Sequence, residues 1–340
     1  MSLAFDINYR PKAPWFGGDL QTMSAVLSPP KVALDDADIE DLRIPADDGT
    51  EDVLLGQRLV RRGSDGPRQE TTVVLLHGLL GDFDRDYMRL LTRHYLDHGY
   101  IVVRMNLRGA GSSRLLCTRN YHAGFTQDLT VIARALSARD DTGRLAWIGI
   151  SLSGNMLLKA ASETPFVEAA DQAAIVSISA PFDLQATATR FSRRRNFLYS
   201  RYLVNKIRKQ MPLQPGLRPD QVEHLKRIKT IGEFDEHFTA PDHGYGSADE
   251  YYIENSAKRF VLDARLPCLA IVAANDPWID DRPYRAIEWS KNPLLTPAIC
   301  RTGGHVGFHA QGHRQPIYTA WSRSFFEASS KPATPTPSRR

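Results

Sequence analysis

A serine flanked by small residues is the first candidate for chemistry in this sequence. Residues 149–153 read GISLS and join an apolar run typical of a β-strand to a run typical of a helix. A sharp turn between two such elements needs small residues on either side of its central residue, and Gly149 and Ser153 satisfy that need. The turn would present the Ser151 hydroxyl beside the N–H of Leu152, where the helix N-terminus favours a developing oxyanion.

A serine hydroxyl is a poor nucleophile near pH 7 unless a base accepts its proton and an acid holds that base in one tautomer. Asp276 lies two residues after the predicted strand 268–274, and His305 follows the next predicted strand within the run GGHVG. Both would lie at carboxyl ends of strands, where open α/β sheets gather their functional groups. Alternative readings remain: Asp276 forms a turn before Pro277, or His305 caps a helix. Substitutes in those cases are Asp280 and Asp281 for the acid, and His309 and His313 for the base.

A second loop could complete an oxyanion site. Residues 77–81 read HGLLG and follow the predicted strand 72–76, so the Leu79 N–H is a second candidate donor beside that of Leu152. In this loop we expect His77 and Gly78 to support the turn through hydrogen bonds rather than to take part in proton transfer. Two further candidates, Tyr121 and His122, form either a buried structural pair or part of a pocket wall.

The elements that must position these residues alternate along the chain. Short β-branched runs and longer helical patterns predict a mostly parallel eight-stranded sheet with helices on both faces, an α/β fold. The predicted parallel strands are 72–76, 100–106, 145–150, 173–179, 268–274 and 296–301. Residues 40–44 and 52–60 predict an antiparallel edge. The predicted helices are 86–98, 124–138, 154–162 and 315–328.

One long segment interrupts this alternation. Residues 182–256 are aromatic-rich and helical without a convincing buried strand, so we expect a helical cap inserted between the two parts of the core, 1–181 and 257–328. Residues 329–340 are rich in proline and predict a disordered tail. Within the cap, residues 190–209 carry eight Arg or Lys and no acidic residue. This basic segment is either a solvated helical face or a surface for anionic lipid headgroups or an acidic substrate.

Composition narrows the class of protein. The 340 residues are 42% hydrophobic with a formal net charge of +4, which permits a large core and implies no nucleic-acid partner. Three scattered cysteines and the absence of a signal-like N-terminus favour a cytoplasmic location. The ten histidines show no metal-ligand spacing, so we expect neither a metal nor another cofactor. Oligomeric state is not predicted by any of these features.

Taken together, the motifs resemble the α/β-hydrolase superfamily, and more narrowly the YheT-like hydrolases related to ABHD1 and ABHD3 enzymes. The matching runs are GDLQTM at 18–23, HGLLG at 77–81, NLRG at 106–109, YHAG at 121–124 with Asp128, and GGHVG at 303–307. Departures are Ser153, where the family commonly has glycine, and GAG at 109–111, where many members carry a cysteine.

The resemblance implies cofactor-independent hydrolysis of a carboxylic ester, from a small molecule or a lipid, through an acyl-enzyme on Ser151. In that mechanism His305 is the general base, Asp276 the supporting acid, and the Leu79 and Leu152 N–H groups bind the oxyanion. Phospholipase, lipase or acyltransferase activity on the same triad is the alternative reading. A catalytically decayed homologue that only binds a ligand is a third.

Overall fold

Eight strands form the centre of the molecule. The computed structural model describes residues 5–63, 70–215, 217 and 219–329, so the predicted tail lies outside the described residues apart from Ser329. The strands are β1 (Ala37–Pro45), β2 (Val53–Arg61), β3 (Thr71–Leu76), β4 (Ile101–Met105), β5 (Arg144–Ile150), β6 (Gln172–Ile178), β7 (Cys268–Ala273) and β8 (Leu295–Cys300). The α/β class predicted from the alternation of elements is confirmed.

The strands pair in the order β1-β2-β4-β3-β5-β6-β7-β8. β1 and β2 are antiparallel, β2 pairs antiparallel with β4, and every other pairing is parallel. Because β3, β5, β6, β7 and β8 run in the same direction, the loops that follow them leave the same edge of the sheet. That edge therefore receives the HGLLG loop, the Ser151 turn, the Asp276 turn and the GGHVG loop.

Apolar cores cover both faces of the sheet. Successive side chains of a strand point to opposite faces. In β3, Val74 and Leu76 pack in one core while Val73 and Leu75 pack in the other, and all four are fully buried. Burial on both sides explains why the central strands have nearly continuous apolar sequences.

Helices flank the sheet and form the segment between β6 and β7. They are α1 (Gly17–Leu27), α2 (Asp86–Asp97), α3 (Gln127–Ser137), α4 (Leu152–Ala160), α5 (Thr164–Val167), α6 (Leu184–Phe191), α7 (Phe197–Gln210), α8 (Pro219–Leu225), α9 (Ile231–Phe234), α10 (Ala240–Asp242), α11 (Ala248–Asn255), α12 (Arg282–Arg285) and α13 (Tyr318–Ser329). None of the described helices is long and apolar enough to cross a bilayer.

The segment between β6 and β7 contains α6 to α11 and has an apolar core of its own. Phe191, Leu203, Ile207 and Phe238 pack together there, and Leu80 of the HGLLG loop joins them. A π-helical turn, Asp235–Thr239, connects α9 to α10. The described part of this segment contains no strand. Because Leu80 belongs to the sheet edge that carries the candidate residues, these helices, called the cap below, pack against that edge.

The helix α1 is absent from the sequence-based expectations. Its buried residues are polar, Gln21 and Ser24, while Leu20 and Val26 are exposed. The apolar periodicity that indicates an amphipathic helix is therefore missing. Tertiary hydrogen bonds, described below, stabilise this helix instead.

Candidate active site

The turn after β5 holds Ser151 in a strained backbone conformation. Its φ is 55° and its ψ is −117°, outside the regions that side chains favour. The Ser151 N–H donates to the Ile178 carbonyl at 2.8 Å, which anchors the turn to β6. A Cβ at position 149 would lie 2.5 Å from the Ser153 carbonyl oxygen, so only glycine fits there. The turn predicted from the spacing of small residues therefore has the geometry that exposes the serine.

Ser153 does more than fit a position where glycine is usual. Its hydroxyl accepts the Ile150 N–H at 2.9 Å and lies 2.9 Å from the Leu76 carbonyl, to which it donates. The residue is fully buried. The hydroxyl thus links the ends of β3 and β5, the two strands that carry the oxyanion loop and the serine.

A continuous hydrogen-bonded chain joins the three candidate residues. Ser151 Oγ lies 3.0 Å from His305 Nε2, and His305 Nδ1 lies 2.9 Å from Asp276 Oδ2. The other oxygen of Asp276 accepts the N–H groups of Trp278 at 2.7 Å and Ile279 at 3.0 Å. Asp276 is completely buried, and the Trp278 ring lies against the imidazole with centroids 4.3 Å apart. The arrangement orients one imidazole tautomer toward the serine hydroxyl.

The alternative acids and bases lie elsewhere. Asp280 accepts from Arg282 Nε at 2.9 Å, and Asp281 accepts from Arg285 Nε at 2.6 Å. His309 contacts Ser24 Oγ through Nε2 at 2.8 Å, and His313 is exposed. None of these four is hydrogen-bonded to the Ser151–His305 pair.

Helix α1 supports the loop that carries His305. The His305 N–H donates to Thr22 Oγ1 at 2.8 Å, and the Thr22 hydroxyl donates to the Gly18 carbonyl at 2.7 Å. Gly304 has a φ of 57°, and a Cβ there would collide with the Gly18 carbonyl oxygen and the Gln21 side chain. The run GDLQTM is therefore the support for the GGHVG loop, a role that sequence reasoning did not identify.

Cap residues support the loop that carries Asp276. Arg190 donates to the Asp276 carbonyl at 2.7 Å and to the Pro277 carbonyl at 3.1 Å, and Asn196 donates to the same Pro277 carbonyl at 2.8 Å. Arg208 likewise turns inward and donates to backbone carbonyls of the cap. These two arginines therefore direct their guanidiniums to backbone carbonyls, which neither reading of the basic segment anticipated.

The Leu79 N–H is the donor left free in the HGLLG loop. The N–H groups of Gly78, Leu80 and Gly81 are bonded to Tyr87 Oη, Tyr121 Oη and the Gly78 carbonyl, respectively. Among the described residues, the Leu79 N–H has no such acceptor. Leu152 is the first residue of α4, so its N–H has no acceptor in a preceding turn. Both proposed oxyanion donors are therefore available to a ligand.

His77 and Tyr121 hold that loop in shape. His77 Nδ1 donates to the Gly78 carbonyl at 2.8 Å, and its Nε2 accepts the Leu107 N–H at 3.1 Å. Complete burial lowers the pKa of His77 to about 4, so the ring is neutral at pH 7. The Tyr121 hydroxyl accepts the Leu80 N–H at 2.7 Å, and burial raises the pKa of this tyrosine. His77 and Tyr121 thus contact the backbone of the loop and of Leu107, and neither is hydrogen-bonded to Ser151.

A cavity of about 360 Å³ lies between the sheet edge and the cap, and Ser151 and His305 open into it. Its wall includes many apolar side chains, among them Leu79, Leu152, Phe191, Leu203, Ile207, Met211, Phe234 and Phe238. His122 belongs to this wall, with its ring 4.3 Å from that of His243. Burial lowers the pKa of His122 well below its usual range. Of the two readings left open for His122, the pocket-wall reading fits its position.

Comparisons with known proteins identify the family of this chain. The chain matches the model of the alpha/beta hydrolase family over residues 73–317. It belongs to the α/β-hydrolase family. Among its relatives is the YheT protein of Escherichia coli (strain K12), named as a candidate esterase, which is 31% identical over 284 residues covering 78% of this chain and 82% of that protein. The resemblance stated from the motifs is confirmed.

Further relatives carry lipase-type names. Phospholipase ABHD3 of Mus musculus is 27% identical over 244 residues, which cover 70% of this chain and 58% of that protein. Monoacylglycerol lipase of Saccharomyces cerevisiae is 28% identical over 250 residues, which cover 69% of this chain and 54% of that protein. This chain therefore spans little more than half the length of these two relatives.

Solved structures share the fold. The esterase Pf2001 of Pyrococcus furiosus superposes with a TM-score of 0.57 at 15% identity, covering 86% of this chain and 90% of that one. A hyperthermophilic esterase of Pyrobaculum calidifontis superposes with a TM-score of 0.56 at 16% identity, covering 92% of this chain and 90% of that one. At these identities the likeness establishes the α/β-hydrolase fold alone.

Proposed function

We propose that this protein is a serine hydrolase that cleaves carboxylic esters through an acyl-enzyme. Ser151 Oγ attacks the acyl carbonyl while His305 Nε2 takes its proton, and the N–H groups of Leu79 and Leu152 bind the oxyanion. His305 then protonates the leaving alcohol. Water, activated by the same imidazole, attacks the acyl-enzyme and releases the acid. Asp276 fixes the imidazole tautomer and stabilises the imidazolium.

The observation that carries the proposal is the complete set of groups around one point of the cavity. The nucleophile, base and acid are linked at 3.0 Å and 2.9 Å. The two candidate oxyanion donors belong to Leu152, next to the serine, and to Leu79, whose neighbour Gly78 lies against Ser151. A decayed ligand-binding homologue has no need to retain the strained Ser151 backbone, which costs on the order of 1–3 kcal/mol. Retention of this backbone together with the nucleophile, the base, the acid and the two N–H donors supports catalysis over binding alone.

The test is covalent labelling by a fluorophosphonate probe, together with hydrolysis of p-nitrophenyl esters from acetate to palmitate. Wild type, Ser151→Ala and the control Ser192→Ala, a serine on the cap surface, are compared, and mass spectrometry locates the label. We expect labelling and turnover in wild type and the control and neither in Ser151→Ala. A folded wild type that takes no label and hydrolyses no ester would favour the ligand-binding reading.

Lipid esters are the second candidate substrate, and the cavity mouth supports them. Val26 of α1 and Tyr202 of α7 line the cavity while remaining 66% and 52% exposed. Leu198, one helical turn before Tyr202, is 76% exposed, and Arg201 lies between them. Exposed apolar side chains beside cations are typical of surfaces that contact anionic lipid headgroups. We therefore propose that this mouth touches a membrane peripherally.

Sedimentation with vesicles tests the membrane contact. Wild type should bind vesicles of phosphatidylcholine with phosphatidylglycerol more strongly than vesicles of phosphatidylcholine alone, and Leu198→Glu should weaken that binding. Ile39→Glu is the control because Ile39 is 48% exposed on β1, at the far edge of the sheet. Equal binding by both variants and wild type would refute a contact at this mouth.

A further inference from the structure

Arg114 is a buried cation without a carboxylate partner. It lies in the short 3-10 turn Gly111–Leu116 after β4, is only 6% exposed, and lines the cavity that contains Ser151. Its guanidinium has two long contacts, with Asn120 Oδ1 at 3.5 Å and Met211 Sδ at 3.8 Å. Within the described residues, no carboxylate lies at ion-pair distance from it. Burial lowers the pKa of Arg114, with Tyr121 and Cys117 the groups that oppose this shift.

Other buried arginines of this chain differ in that respect. Arg58 lies 2.5 Å from Asp141, and Arg104 lies 3.0 Å from Asp84. Arg108 contacts three carboxylates, those of Asp48, Asp52 and Asp128. Burying a guanidinium without an anion is costly, because much of its hydration is lost and no opposite charge replaces it. The exception among these arginines is the one in the candidate active-site cavity.

A second cation lies on the same cavity wall. Lys206 of α7 contributes to the lining, and its ammonium lies 5.3 Å from the centroid of the Tyr202 ring. Carboxylates also line the cavity, namely Asp86, Asp235 and Asp242. Asp235 accepts from Thr239 and Tyr252 through its two oxygens. Because no described carboxylate lies at ion-pair distance from Arg114, its guanidinium is left for an anionic ligand in the cavity.

We propose that Arg114, assisted by Lys206, binds an anionic group of the substrate, so that the preferred ester carries a carboxylate or a phosphate in addition to its scissile bond. This inference rests on the proposed ester hydrolysis at Ser151. The guanidinium has five N–H donors in a planar fork that matches either oxyanion. A charge-assisted contact of this kind corresponds to about a 10- to 100-fold change in kcat/KM.

Two matched pairs of esters separate the chemical sources of the charge. Mono-p-nitrophenyl adipate against p-nitrophenyl hexanoate adds a carboxylate to the same acyl length, and 1-butyrylglycerol 3-phosphate against 1-butyrylglycerol adds a phosphate. We expect wild type to prefer the charged member of at least one pair. Arg114→Met should lose that preference about 10- to 100-fold while the neutral ester changes about 2-fold or less, and Arg114→Lys should retain part of it. The control is Arg43→Met, an exposed arginine of β1 at the far edge of the sheet.

The Tm of Arg114→Met distinguishes a role of Arg114 in substrate binding from a structural role, because the two roles predict changes of opposite sign. Arg114→Met should keep or raise the Tm, because it removes an unpaired buried charge, whereas Arg108→Met should lower it strongly. If Arg114→Met instead lowers the Tm and slows charged and neutral esters equally, the residue is structural and the proposal is wrong. No preference for either charged ester in wild type overturns it as well.

Equilibrium binding keeps this proposal distinct from the hydrolase assignment. Adipate and inorganic phosphate are titrated into Ser151→Ala and into Ser151→Ala with Arg114→Met by calorimetry. Binding that requires Arg114 supports the anion site even if no ester is turned over and no fluorophosphonate label is taken, in which case only the proposed hydrolysis fails. If neutral esters are hydrolysed but neither adipate nor phosphate binds, the proposed hydrolysis stands and the proposed anion site is wrong.

Discussion

Removing one oxygen atom, the hydroxyl of Thr22, tests whether α1 positions His305. Its hydroxyl accepts the His305 N–H at 2.8 Å and donates to the Gly18 carbonyl at 2.7 Å. Thr22→Val replaces the hydroxyl with a methyl group of similar shape, so the cavity wall beside it keeps its form. The variant therefore removes two hydrogen bonds without removing the bulk of the side chain.

The expected loss follows from those two contacts. An N–H left without its acceptor costs about 1–3 kcal/mol where water cannot replace the bond, and Thr22 is partly buried. We expect the free energy of unfolding to fall by about 1–2 kcal/mol. A shift of the His305 loop approaching 1 Å can lower kcat about 100-fold, so a smaller shift should lower it about 10-fold or more. KM should change little, because the side chain keeps its volume.

The assay compares kcat and KM for a p-nitrophenyl ester in wild type, Thr22→Val and Thr22→Ser, with the rate of fluorophosphonate labelling as a direct measure of serine reactivity. Thr22→Ser retains the hydroxyl and should restore most of kcat and of the labelling rate. If Thr22→Val turns over like wild type, or if the serine variant is as slow as the valine variant, the Thr22 hydroxyl does not position His305.

Three further perturbations test other supports of the site. Tyr121→Phe removes the acceptor of the Leu80 N–H, so kcat should fall about 10-fold as the HGLLG loop loosens, measured with the same esters against a Tyr100→Phe control. Ser153→Gly removes the hydroxyl that links β3 and β5; it should lower the free energy of unfolding by about 1–2 kcal/mol in urea while fluorophosphonate labelling persists, and unchanged stability would contradict the link. Burial raises the pKa of Asp235 from 3.8 to about 6, so the folded state holds this proton more tightly than the unfolded state. The contribution of Asp235 to the free energy of unfolding therefore falls as pH rises from about 4 to 6. Asp235→Asn should remove that contribution, so the stability of the variant relative to wild type should increase over this range by at most about 1.4 kcal/mol per pH unit. If the free energies of unfolding of variant and wild type run parallel with pH, the raised pKa of Asp235 is refuted.

The central sheet could be predicted because burial on both faces leaves a direct mark on the sequence. Strands such as β3 and β5 have no solvent-facing positions, so they appear as short apolar runs between polar turns. Predicted and observed bounds for these strands differ by one residue. The antiparallel pair β1 and β2 was also predicted, although β1 extends beyond the expected range at both ends and β2 is displaced by one residue.

The candidate triad could be placed because each of its members follows a strand, and the carboxyl ends of parallel strands meet at one edge. Their supports could not be placed in that way. Thr22 meets His305 across 283 positions of sequence, and Arg190 meets the Asp276 carbonyl across 86. Arg190 was interpreted as part of a basic surface because its neighbours are basic, and only the fold reveals that its guanidinium turns inward.

The contacts that support the triad also determine which part of the chain is needed to hold it in place. The family match covers residues 73–317 and includes the serine, the acid and the base, but α1 lies outside it. The base loop depends on α1 through Thr22, while the acid loop depends on the cap through Arg190 and Asn196. A fragment limited to the matched residues would therefore keep the reacting groups and lose one of the contacts that align them. The geometry at Ser151 is a property of the sheet, the cap and α1 together.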